Sequence, residues 1–171
     1  MTIDGAALQF LLDYDGWAME QIFTSAAQLD EAAFAAPAGP GHAVPRETLL
    51  HCVGGMRSWR ERLQGTPATP PPDTATVRTA ATARALWREE HERLRAYVAG
   101  LAAAELDETL EQRRPDRVLV AERWQFVVHL VLHNMQHRSE LAQALTLLGH
   151  SPGQIGLTAY LQQRGPAPAS T

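Results

Sequence analysis

Cysteine occurs once in the 171 residues, at Cys52. No disulfide can therefore form within the chain, and a reducing interior is the expected setting. No apolar run is long enough to span a bilayer, and the opening "MTIDGAALQF" lacks the basic and apolar regions of a secretion signal. A cytoplasmic protein with no membrane partner is expected. The 15 basic residues are outnumbered by 19 acidic ones, giving a formal charge of −4. That balance argues against a non-specific grip on nucleic acid, which needs a basic footprint. Several catalytic signatures are missing as well. There is no GxSxG elbow for a serine nucleophile, no glycine-rich phosphate loop, and no ExxH pair for a di-iron bundle.

What is present is helical patterning. From Ile3 to about Leu29, residues Leu8, Leu11, Leu12, Ala18, Ile22, Ala26 and Leu29 recur at three- and four-residue steps, the mark of one buried stripe. The loop "AAPAGPGHAVP" ends that segment. Pro45 then suits the first turn of a second helix running to about Leu63, with Glu47 near its positive end. "QGTPATPPPDTAT" cannot continue a helix or enter a central strand, so it reads as a crossover. A third helix is expected over Val77–Leu101, capped by Thr76. "RRPDRVLVAE" suggests a turn with a short extended piece. The fourth helix is expected from near Ala121 to Leu148, where Gly149 ends it and Pro152 prevents its resumption. "IGLTAYLQQR" suggests one short closing helix. These segments predict an all-α, four-helix bundle with a long proline-rich crossover between its second and third helices. One domain over residues 1–164 and a flexible tail over 165–171 are expected.

Three of the seven histidines, His129, His133 and His137, fall in "HLVLHNMQH". On a helix an i,i+4 pair is separated by only about 40° and one turn of rise, so His133 and His137 can offer two nitrogens to one ion. A stable site needs three or four donors, and His51 on the second helix is the leading third candidate. Gly54, Gly55 and Ser58, one or two turns further on, leave room beside its ring. His129 lies about 80° around from His137 and reads as a packing or supporting residue. His42, His91 and His150 are expected at the solvated surface. Cys52 is expected to face a neighbouring helix as a small buried residue. "HNMQH" carries Asn134 where an HExxH protease has its glutamate, which disfavours that chemistry. Glu140, three residues after His137, could orient an imidazole or act as a base, while Glu47 reads as a helix-start charge.

The patterns "LLHCVGGMRSWRERL", "HLVLHNMQHRSELAQALTLLGHSPG" and "LTAYLQQR" together resemble the DinB/YfiT-like superfamily over nearly the whole chain. The resemblance implies a four-helix bundle whose divalent metal is held by three histidines, here His51, His133 and His137. Many members have Gly-Gln after the His-Arg pair, where this chain has Ser139 and Glu140. Some relatives are metal-dependent transferases or isomerases that use a thiol such as bacillithiol or mycothiol, and members commonly pair as homodimers.

Three neutral imidazoles leave open coordination positions, the arrangement of a reactive site. A metal-dependent transferase acting on a small-molecule substrate with a low-molecular-weight thiol is therefore expected, with Glu140 and Arg138 as candidate catalytic residues. Arg138 could hold a substrate carboxylate, with packing or a surface salt bridge as the favoured alternative. The alternatives are metal-assisted hydrolysis, with Glu140 as base, or a metal-binding protein without turnover. Zinc is expected by availability and nickel next, since imidazole suits both.

Overall fold

The computed structural model describes residues 3–113 and 117–165. Its four long helices are α1 (Gly5–Ala26), α3 (Pro45–Gln64), α4 (Ala80–Ala99) and α6 (Arg123–Leu147). Short helices α2 (Glu31–Phe34), α5 (Ala103–Leu106) and α7 (Leu157–Arg164) fill the connections. Both α1 and α3 pack against α4 and α6, so the four form a closed ring with one core. No helix among the described residues is long and apolar enough to cross a membrane.

Several boundaries shift from the sequence reading, each for a local reason. Helix α1 stops at Ala26, and Leu29 falls in a turn before Asp30 caps α2 through the Ala33 N–H. Thr76 does not cap α4. Residues Thr74–Thr76 make a 3₁₀ turn capped by Asp73, and Thr79 takes the α4 cap by accepting from the Thr82 N–H. The extended piece is one strand of a hairpin: β1 (Thr109–Arg113) pairs antiparallel with β2 (Val118–Glu122), Leu110 opposite Ala121. The turn expected within "RRPDR" falls on 114–116, and the expected tail largely on 166–171, outside the described residues.

The proline-rich crossover is tied to α3 rather than left in solvent. Gly65, at φ +67°, ends α3 in the left-handed conformation that a glycine adopts without a Cβ clash. The buried Glu61 then accepts from the Thr69 N–H at 3.0 Å and from its hydroxyl at 2.7 Å. The chain thereby folds back along the helix until Pro71 lies over Gly54.

The core contains one polar insertion. In α1 the buried stripe runs Leu8, Leu12, Asp15, Met19, Ile22, Ala26, and in α6 it runs Val127, Leu130, Asn134, Arg138, Leu141, Leu145. Asp15 therefore faces Asn134 and Arg138. Its carboxylate accepts from Asn134 Nδ2 at 2.7 Å and from Arg138 Nη1 at 2.5 Å. Burial pushes the Asp15 carboxyl up, while Arg138, Asn134 and His91 oppose that shift.

His91 departs from expectation. It is 5% exposed, stacked on Trp87 with ring centroids 4.5 Å apart, and within 3.1 Å of the Leu12 carbonyl through Nε2. Its helix looks charged because Glu89, Glu92 and Arg93 surround it in sequence, yet the ring points inward over Gly16. His42 and His150 are half-buried. A Cβ on Gly16 would stand 2.8 Å from His91 Cε1, and the stacked ring has little room to yield. Gly16→Ala is therefore expected to lower stability by about 1–3 kcal/mol through overpacking. That outweighs the ~0.5–1 kcal/mol gained from replacing a mid-helix glycine. Thermal unfolding checks it, and a raised melting temperature would refute the close fit.

Candidate metal centre

The turn of α6 that places Asn134 and Arg138 in the core also sets the histidines. His133 and His137 each precede one of those buried residues, so each is rotated about 100° away from the core stripe. Both then face α3, which supplies His51. One nitrogen from each of the three rings falls within 4.8 Å of the others. His51 Nε2 and His133 Nε2 are 3.2 Å apart. The ring centroids of His51 and His133 each lie 4.6 Å from that of His137, and both rings meet it edge to face.

These distances fit a metal. Bonds of about 2.0 Å to a tetrahedral ion put two ligand nitrogens roughly 3.3 Å apart. The 3.2 Å separation of the two Nε2 atoms is close to that edge. Glu140 supplies the outer partner that such sites use: its Oε2 lies 2.8 Å from His137 Nδ1, which fixes the ring and leaves Nε2 to face the cluster. The hydrogen bond with His137 holds the Glu140 carboxyl below its ordinary range, against partial burial. Burial first, then the neighbouring imidazoles His137, His51 and His129, bring His133 down to about 4, with Glu140 opposing. Burial and His137 likewise lower His51, again against Glu140. His133 is thus neutral near pH 7, the form in which imidazole donates to a metal. The His51, His133 and His137 group can hold a metal ion.

Other predicted residues fall elsewhere. Arg138 does not reach the cluster: it is 1% exposed, paired with Asp15, bonded to the Tyr14 hydroxyl at 3.1 Å and stacked over the Tyr14 ring. Its guanidinium is committed to the core and is not presented to a substrate carboxylate, which corrects the expected role. His129 is exposed and meets the Trp59 ring edge-on, outside the ligand group. Glu47 is an exposed first-turn charge on α3. Cys52 is fully buried, and burial pushes its thiol up to about 12. Gly55 gives His133 its space, since a Cβ there would stand 3.2 Å from His133 Cε1.

Beside the histidines lies an open cavity of about 400 Å³ between α3 and the crossover. Sequence reasoning identified its glycines and Ser58 but missed Arg57, Arg62 and Thr69. The signal was available for Arg62, which stands eleven residues after His51, three helical turns along the same face. For Thr69 no local signal existed, because Glu61 sets its place.

The DinB family model matches residues 5–168. The chain belongs to the DinB family. This DinB protein also shares its fold with a conserved protein from Enterococcus faecalis, at a TM-score of 0.67 and 12% identity. That likeness covers 87% of this chain and 99% of the other. A search of curated proteins finds no match.

Proposed function

We propose that this DinB protein is a metal-dependent transferase that presents a low-molecular-weight thiol to an electrophilic small molecule. The observation that carries the reading is the three-imidazole group, two of whose rings, His51 and His133, line a cavity, with no other cluster of three or more metal-ligating side chains among the described residues. A divalent ion, zinc first and nickel next, would lower the pKa of a bound thiol so that thiolate predominates near neutral pH. The chain's own contribution is positional. His51, His133 and His137 offer ring nitrogens from two helices, and Glu140 holds the His137 ring in one orientation. The buried Cys52, with its raised pKa, is kept out of competition as a nucleophile.

Hydrolysis with Glu140 as general base is less well supported, because its carboxylate is engaged on His137. A homodimer is proposed from the family resemblance, and the exposed Leu132 and Met135, neighbours on one face of α6, are consistent with it. A reducing cytoplasmic setting suits a chain whose single thiol is buried.

The test is conjugation of bacillithiol or mycothiol to monochlorobimane. Metal-loaded protein is expected to accelerate the reaction over metal-free protein and over the His133→Ala variant. No acceleration with either thiol, in protein shown to hold metal, would leave a metal-binding protein without this turnover.

A further inference from the structure

The cavity beside the histidines has a chemical sign. Its polar lining is His51, Arg57, Ser58, Arg62, Thr69 and His133, and no aspartate or glutamate lines it among the described residues. Acidic residues outnumber basic ones in the whole chain by 19 to 15, so a recess with two guanidinium groups, two hydroxyls and no carboxylate runs against the composition.

Both arginines line the cavity, and each also has partners within the protein. Arg57 Nε bonds to Glu90 at 2.9 Å, and Glu90 is 1% exposed. The same carboxylate also pairs with Arg60 and Arg93, so three guanidinium groups share one buried acid. Arg57 Nη1 reaches the Pro70 carbonyl at 3.4 Å, and Nη2 takes no partner among the described residues. Arg62 places its guanidinium carbon 5.5 Å from the centroid of Trp59, a ring that also lines the cavity.

Helix geometry connects these groups to the imidazoles. His51, Gly55, Ser58 and Arg62 follow one another at steps of four, three and four, and so form one stripe on α3. From first to last the stripe climbs roughly 16 Å. The two glycines keep its floor low, and Pro71 walls one side. We infer that this recess receives a small organic anion, its carboxylate held by Arg57 and Arg62 and its other end at the three histidines. A guanidinium fork matches a carboxylate through two parallel hydrogen bonds, and the hydroxyls of Ser58 and Thr69 add neutral donors. The placement of the second end rests on the metal reading above; the anion site does not.

The experiment uses the full chain loaded with cobalt and titrated calorimetrically with mercaptosuccinate and with 1-thioglycerol, a charged and an uncharged thiol. Mercaptosuccinate is expected to bind about 10- to 100-fold more tightly, the range for hydrogen bonds to charged groups. Arg57→Gln and Arg62→Gln should each shrink that ratio, and the double variant should bring it near one with cobalt content unchanged. Circular dichroism checks the fold, and Arg62→Gln decides alone if loss of Arg57 disturbs Glu90. Equal binding of the two thiols, or a ratio that survives the double variant, overturns the inference. Failure of the metal reading would show separately, as no cobalt uptake. The anion site is then decided on metal-free protein with succinate. A rise in melting temperature that the double variant abolishes supports it, and no rise overturns it. Stronger protection by inorganic phosphate than by succinate would overturn the carboxylate assignment.

Discussion

His133→Ala is expected to abolish stoichiometric metal binding, from about one ion per chain to background by elemental analysis of untagged protein. The reason is the geometry of the centre. His133 touches both of the other rings: its Nε2 lies 3.2 Å from that of His51, and its centroid lies 4.6 Å from that of His137. Without it, the ion would have one imidazole from each of two helices and no third donor in the ligand group. Removing an outer partner of a metal ligand typically weakens affinity about 10- to 100-fold, and removing a ligand should cost more than that. Glu140→Ala provides the internal scale. It frees His137 Nδ1 and should weaken metal by that smaller factor without abolishing it. Equal metal content in His133→Ala and the parent protein would remove the case for the centre. Equal losses in the two variants would instead mean that Glu140 is itself a ligand.

Arg138→Met should produce the largest change in stability. It strands the Asp15 carboxylate, 1% exposed, with Asn134 as its one remaining side-chain hydrogen-bond donor among the described residues. Breaking one side of a buried ion pair costs about 3–5 kcal/mol. For a chain of this size that corresponds to a melting temperature lowered by roughly 6–20 °C. The double variant Asp15→Leu with Arg138→Met should recover most of the loss, because apolar replacement of both partners leaves no unpaired charge. The same pair of variants separates two roles of the network. If Asp15 only stabilises the core, the double variant will bind metal as the parent does. If it also sets the rotation of α6, metal affinity will stay reduced after stability returns. A single Arg138→Met variant within about 1 kcal/mol of the parent would contradict the burial on which both expectations rest.

The bundle and much of the three-histidine group were legible in the sequence because they follow from helical spacing. The three- and four-residue apolar steps located the long helices. The same periodicity put His133 and His137 on one face, the need for a third donor pointed to His51 on the second helix, and the family resemblance agreed. Arg138 packs in the core, the alternative set beside its substrate role, and the signal for that burial existed. Continuing the stripe Val127, Leu130, Asn134 by four places Arg138 in the core, and Asp15 occupies the matching position in α1. A charged residue at an apolar step reads as a surface interruption until its partner is seen, and that partner lies 123 positions away. His91 failed for a related reason. Its charged neighbours suggest solvent, but Gly16 on another helix opens the space it fills. Local periodicity reports which way a residue points. It does not report what another segment has left vacant, and the crossover beside the cavity, set by Glu61 and Thr69, was illegible for that reason.

The burial of Cys52 gives the molecule its own clock. The lone thiol sits directly after a candidate ligand on α3, sealed from water and pushed up to about 12 by burial. Alkylating reagents can reach it only when that helix separates from its neighbours, so the rate of modification in the native protein measures how often the bundle opens. Any ion or small molecule that grips the closed form slows that rate in proportion to its occupancy, without an added label.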